Sequence, residues 1–476
     1  MRTTTTSLPP SAKATAPSET DHDWLITGPV ALCIRRIAIP ACVGFFFHTM
    51  FNVVDTWFAG LIGTTAQAAL SLTFPVFFIV IAVGSGVQVG ATALIGNALG
   101  ARDRPLARVY ARQALVFALL VTVVLTAVGL AGAPALYRTL GAQGDYLEAC
   151  LAYVTPIFYG TVFFMLIYVF NGVLQAVGDT KSFRNVLVAG ALINIGLDPW
   201  FMFGGLGLPA MGLTGIAVAT VLVQACGAAY LGLRVRRTGL MAADGPGSRL
   251  PSAAPLLALA RQSLPAGFNY MSMGLGIFII TYFVARFGQS TVAAYGVATR
   301  VEQILLMPTI GLNIATLSMT SQNYGAGRLE RIRETLNKAL KYGAWISAAG
   351  MIALLAGAEP LMDLFSDDPQ VVFEGARFLR VAALLLYAYV LLFVHVSMMQ
   401  GLKRPMFALW VGLYRQIAAP VAVFWTFTVF MDHGVTAIWW GIFCINWSAA
   451  VFSFIYARRM LATRLQRPEQ SAPRAP

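Results

Sequence analysis

Gly96-Asn97-Ala98-Leu99-Gly100-Ala101-Arg102-Asp103 and Ser321-Gln322-Asn323-Tyr324-Gly325-Ala326-Gly327-Arg328 are two versions of one ending. Each closes a long apolar run, and in each a Gly-Ala step leads towards arginine. One fixed offset relates them, carrying Gly100-Ala101 onto Gly325-Ala326. At that offset Ile39-Pro40-Ala41 lands on Leu264-Pro265-Ala266, Gly63 on Gly288, Ala68-Ala69 on Ala293-Ala294 and Gly86 on Gly311, and much later Gln175 lands on Gln400. Without a gap, residues 39–101 share 12 identities in 63 positions with their shifted counterparts. Apolar bias alone does not place Pro, Gly-Ala and Gln at one register, so the chain is read as an internal duplication.

Working outward, twelve apolar segments fill the chain: 36–62, 66–99, 107–133, 147–177, 183–204, 210–234, 256–286, 290–323, 332–357, 370–402, 405–431 and 435–460. A membrane-spanning helix needs about 20 predominantly apolar residues. The longest of these spans exceed that need and imply tilt, kinks or extension beyond the lipid. Barrel strands would be about ten residues long and alternate in polarity, which these runs do not. The expected fold is an all-α integral membrane protein of twelve transmembrane helices in two pseudo-symmetric six-helix lobes. Six crossings return the chain to its starting side, so the lobes are parallel copies. The expected organisation is a disordered cytoplasmic tail (1–28), an N-lobe (29–234), a cytoplasmic linker (235–255), a C-lobe (256–462) and a second cytoplasmic tail (463–476).

Composition agrees. The 476 residues are 58% hydrophobic and 11% charged, whereas a soluble domain is about 25% charged. The net charge of +13 falls in short loops, not in a nucleic-acid patch. Every even-to-odd loop is basic, for example Arg102 to Arg112 after segment 2 and Arg328 to Lys341 after segment 8. The opposite loops are nearly bare of Lys and Arg. The positive-inside rule then puts both termini in the cytoplasm, in a cell membrane. The five cysteines include no CxxC and read as small core residues. The first residues lack an apolar stretch for a secretory signal.

Ionisable groups inside hydrocarbon cost about 2.5–3.5 kcal/mol on insertion scales and are functional by default. Asp55 lies about 28 Å along its helix from Arg36, and Asp198 about 21 Å from Arg184, at the α-helical rise. Both fall in the outer half of the membrane. Asn194 and Asp198 are four apart and share a helix face. Pro199 has no N–H to give the carbonyl of Ile195, which provides a kink beside a carboxylate. Two carboxylates sharing a desolvated lobe would hold and release a proton. Thr220 and Asn171 are polar at plausible depth. The offset carries Asp55 to Ile280 and Asp198 to Val423, so the second lobe lacks both acids and ion coupling is assigned to the N-lobe. The second lobe has its own charges in Arg300 and Glu302, which point to different sides, and Arg415. Glu302 is read as a secondary cation candidate or the partner of another helix.

Catalytic patterns are missing. Gly172 to Lys181 is superficially like a phosphate loop, but no Gly-Lys-Ser/Thr occurs, nor any HExxH or GxSxG. The chain is read as not an enzyme, with no cofactor and no nucleic-acid partner.

The residues also carry a family resemblance. Val54-Asp55-Thr56-Trp57-Phe58-Ala59-Gly60, the paired endings at 96–103 and 321–328, Leu174 to Lys181, and Asn194 to Pro199 resemble the multidrug and toxic compound extrusion (MATE) transporters, prokaryotic type, across all twelve segments. The resemblance implies antiport of organic, often cationic compounds against H+ or Na+. It places Asp55, Asn194, Asp198 and Thr220 at a cation-coupling site, with Na+, if that is the coupling ion, held by Asp55, Asn194 and Asp198. Asn171, Tyr153, Phe51 and Gln175 fall at substrate-cavity positions; Phe51 replaces the tyrosine the pattern carries. The expectation is a secondary active efflux antiporter, monomeric, with small organic molecules and membrane lipid as partners. Its rivals are a flippase for a lipid-linked precursor, which would want a strongly basic cavity, and a membrane-embedded transferase, which would want an acid–base or metal cluster.

Overall fold

The structure is a computed structural model that describes residues 23–205, 207–242, 251–431 and 434–466. These residues form α-helices joined by short turns, with one isolated bridge between Gly205 and Leu208. The N-lobe comprises α1 (Trp24–Thr27), α2 (Val30–Ile62), α3 (Thr64–Gly100), α4 (Arg104–Thr139), α5 (Gly144–Tyr159), α6 (Thr161–Ala176), α7 (Lys181–Phe203) and α8 (Gly212–Arg237). The C-lobe comprises α9 (Ala253–Val284), α10 (Gln289–Gly325), α11 (Leu329–Asp363), α12 (Pro369–Gly401), α13 (Pro405–Leu413), α14 (Ala419–Trp425) and α15 (Val435–Gln466). Eleven spans are long and apolar enough to cross a membrane, and the bent pair α5–α6 makes a twelfth. The protein is an all-α, multi-pass membrane protein.

Sequence and structure differ at places with physical causes. Segment 4 is not one rod. It turns by 48° between α5 and α6, at Gly160, where an added Cβ would stand 2.5 Å from a methyl of Val221 on α8. Segment 11 runs as α13 and α14 joined and followed by π-helical turns at Tyr414–Ala418 and Thr426–Phe430. Pro420, which has no N–H for the carbonyl of Gln416, accounts for the first of these.

The expected tail of residues 1–28 is corrected over its last part. Trp24, Leu25 and Ile26 are buried in a helical turn. Asn323 and Arg331 donate to the Leu25 carbonyl, Arg328 to that of Ile26, and Arg331 to that of Gly28. Apolar side chains and bonded carbonyls, not tail composition, decide that stretch. Residues 1–22 and 467–476 of the tails and 243–250 of the linker lie outside the described residues. The described parts of the linker extend α8 to Arg237 and begin α9 at Ala253.

The lobes meet along α3 and α10. Without a hydrophobic drive inside lipid, helices associate where small residues let backbones approach. Gly86 on α3 faces the Ser263 carbonyl of α9, where a Cβ would stand 2.6 Å from the oxygen. Gly311 on α10 faces the Ala38 carbonyl of α2, at 2.5 Å. The repeat offset carries Gly86 to Gly311 and Ala38 to Ser263, so the seam has a twofold rule.

At the end of the bundle that carries the arginine-rich turns the rule repeats. Asn97 Nδ2 donates to the Gly401 carbonyl at 3.0 Å, and Gln322 Nε2 to the Ala176 carbonyl at 2.7 Å. The offset carries Asn97 to Gln322 and Ala176 to Gly401. Gly100 and Gly325 lie against the carbonyls of Gln322 and Asn97. Two matching side-chain bonds tie the lobes together at that end.

Candidate functional site: a carboxylate pair in the N-lobe

Three helices build the site. α2 brings Asp55, α7 brings Asn194 and Asp198 one turn apart, and α8 brings Thr220. All four residues are buried, Asp55 to 6% exposure and Asp198 to 0%. The Asn194 amide spends both its hydrogens here: Nδ2 donates to Asp55 Oδ1 at 2.6 Å and to Asp198 Oδ2 at 2.6 Å. The Thr220 hydroxyl lies near Asp55 but has no hydrogen-bond partner, and the two carboxyl groups are close enough to repel each other. Tyr153, on α5, is within electrostatic reach of both acids.

The acceptors exceed the donors. Asn194 Oδ1 and Asp198 Oδ1 are buried with no hydrogen-bond partner. One neutral amide cannot offset two negative charges out of water, and leaving such oxygens unsatisfied costs about 1–3 kcal/mol each, more when charged. A proton or a small hard cation between the carboxyl groups satisfies both the charge and the lone pairs. Pro199, next to Asp198, leaves α7 one backbone bond short beside the pair.

The structure gathers some of the sequence-predicted residues and separates others. Asp55, Asn194, Asp198, Thr220 and Tyr153 come together. Phe51 is buried one turn before Asp55, packed with Ala191, Val223 and Leu197. Asn171 and Gln175 do not join them. They sit on α6, and Asn171 is about 27 Å along the bent span from Tyr153 at the helical rise. Both are buried, with Asn171 Nδ2 and Oδ1 and Gln175 Oε1 unpartnered. In the C-lobe, Glu302 is buried and Arg300 exposed, as two residues on different helix sides must be.

Reasoning from sequence missed Asn97 and Gln322. Both lie within the paired endings, and their amides at one register were the available signal. It also missed that Arg415 shares a cavity with Glu302, since the two stand on helices far apart in the chain and no periodicity connects them.

Comparison with known proteins follows the same division. The MatE family model matches residues 40–200 and 265–424, two blocks whose starts are related by the repeat offset. A FAD transporter of Shewanella oneidensis is 29% identical over 400 residues, 83% of this chain and 88% of that one. A probable multidrug resistance protein NorM of Thermotoga maritima is 25% identical over 344 residues, 71% of this chain and 72% of that one. The solved structure of an outward-facing multidrug resistance MATE family transporter of the MOP superfamily superposes with a TM-score of 0.85 at 26% identity, covering 94% of this chain and 99% of that one. With the family model covering both halves of the duplicated bundle, the chain belongs to the MatE family of membrane transporters.

Proposed function

We propose that the protein is a secondary active efflux antiporter that exports organic, cationic or lipophilic compounds in exchange for H+ or Na+ by alternating access. The observation that carries this reading is the Asn194 amide holding Asp55 and Asp198 together in the interior of one lobe. The acids need a cation there and have no counterpart at Ile280 and Val423. Relatives named as multidrug resistance proteins support drug efflux, while the FAD transporter relative shows that a similar chain carries another cargo.

The reading gives the geometry a sequence of events. In this reading the Asn97 and Gln322 bonds hold the lobes together at the arginine-rich end, which the positive-inside rule makes cytoplasmic. The carboxylate pair then takes its cation from the outside. A bound cation shifts the equilibrium only by its differential affinity for the two states. Here that difference comes from removing the repulsion between Asp55 and Asp198, which lets α2 and α7 repack and the cargo leave. One charge moved across the membrane supplies about 2.3 kcal/mol per 100 mV.

The test is uptake of a fluorescent cation into everted vesicles under a pH gradient and, separately, a sodium gradient. Wild type is compared with Asp55→Asn and Asp198→Asn. Gradient-driven uptake in wild type and its loss in both variants is expected. Full activity in both variants would remove the site, and uptake driven by ATP alone would remove the antiport.

A further inference from the structure

The repeat offset carries the N-lobe site onto a second place. Asp55 goes to Ile280, Tyr153 to Phe378 and Thr220 to Ile445. All three of those residues line one cavity of about 190 Å³ in the C-lobe, among α9, α10, α12, α13–α14 and α15. At these three registers the C-lobe cavity is lined by apolar side chains where the N-lobe carries Asp55, Tyr153 and Thr220.

In their place stand two charges that have no equivalents in the N-lobe, where Phe77 and Gly190 occupy those registers. Glu302, on α10, is 7% exposed, lines the cavity and leaves Oε1 without a partner. The Tyr389 hydroxyl and, farther off, Arg415 are its neighbours. Arg415 projects from the π-turn of Tyr414–Ala418, and such π-turns inside α-helices are frequent at functional sites. Its Nη1 donates to Asn446 Oδ1 at 3.1 Å. Its guanidinium lies 5.7 and 5.8 Å from the ring centroids of Tyr389 and Phe393, which stack on each other. Among the described residues, Glu302 and Arg415 form no direct ion pair, although both face one space.

A buried carboxylate and a half-buried guanidinium that face one hollow without joining leave opposite charges without each other's compensation. Direct contact would have been the cheaper arrangement. The volume is several times the roughly 30 Å³ share of one water. A planar guanidinium matches a carboxylate in a two-bond fork, and a buried carboxylate matches an ammonium. The rest of the wall is aromatic and aliphatic, with few polar groups, as in small-molecule sites generally.

We propose that this C-lobe cavity binds a small aromatic zwitterion, its carboxylate on Arg415, its ammonium on Glu302 and its ring against Tyr389, Phe393 and Phe378. The site is separate from the carboxylate pair and needs no ion gradient to be occupied.

The experiment is isothermal titration of the full-length protein in nanodiscs with L-tryptophan, tryptamine and indole-3-propionate. Tryptophan has both charges; each of the others has one. Tryptophan is expected to bind once per chain, with each single-charge indole at least tenfold weaker. Glu302→Gln should cut tryptophan affinity at least tenfold and leave indole-3-propionate unchanged, and Arg415→Gln should do the converse with tryptamine. Arg300→Gln, exposed on the other side of α10, should change nothing. If Arg415→Gln does not fold, the three ligands on the unaltered protein still decide. No heat with tryptophan, or equal affinity for tryptophan and tryptamine, would overturn the proposal. Because no gradient is applied, the result stands whether or not the vesicle experiment supports antiport.

Discussion

Gly325 faces the backbone carbonyl of Asn97 so closely that no side chain can stand between them. Gly100 faces the carbonyl of Gln322 in the same way, at the register the offset requires. The two helix ends therefore touch backbone to backbone, and the amides of Asn97 and Gln322 reach past each other into the opposite lobes.

Gly325→Val should wedge that end open. Overpacking costs about 1–3 kcal/mol, which corresponds to roughly a 5- to 150-fold change in the ratio of the two conformations. Spin labels on Arg102 and Arg328 would show the shift as a longer distance population by electron–electron resonance. An unchanged distance distribution would mean the contact bears no part of the closure.

Asn97→Ala and Gln322→Ala should each loosen the same end by about 0.5–1.5 kcal/mol, the net worth of one hydrogen bond. Since both bonds report on one closure, the double variant should lose about the sum. Accessibility of a cysteine introduced at Ser321, which is buried against Gly96 of the other lobe, to a membrane-impermeant thiol reagent measures it. A double variant no more accessible than either single one would contradict the matched pair.

Asn194→Leu should disable coupling without touching either acid. Hydrogen bonds to charged groups are worth about 1.5–3 kcal/mol, so gradient-driven uptake in everted vesicles should fall at least tenfold. Undiminished uptake would make the amide a packing residue only.

Gly160→Ala should lower thermal stability by about 1–3 kcal/mol through the clash with Val221. Val221→Ala added to it should restore most of that loss. Thermal unfolding in detergent of the two single variants and the pair closes the cycle.

Much of this architecture is written locally. Apolar run lengths, the Pro and Gly-Ala registers and the basic turns each require only neighbours in sequence, and they give the spans and the duplication. Asn194 and Asp198 are legible for the same reason, since four residues define one helix face. What escapes is set by partners far along the chain. The turn at Gly160 depends on Val221, and the meeting of Glu302 with Arg415 depends on how α10 and the π-turn pack.

The buried turn Trp24–Thr27 has a consequence for anything joined to the start of the chain. Its indole rests against Gly178 and Arg36 of the first lobe, while its carbonyls are gripped by Asn323, Arg328 and Arg331 of the second. The turn is thus held by both lobes at once. If the proposed alternating access parts this face, the turn must come free of one lobe, and a fluorescent tag or a pulling handle fused ahead of Asp23 would then register each such event.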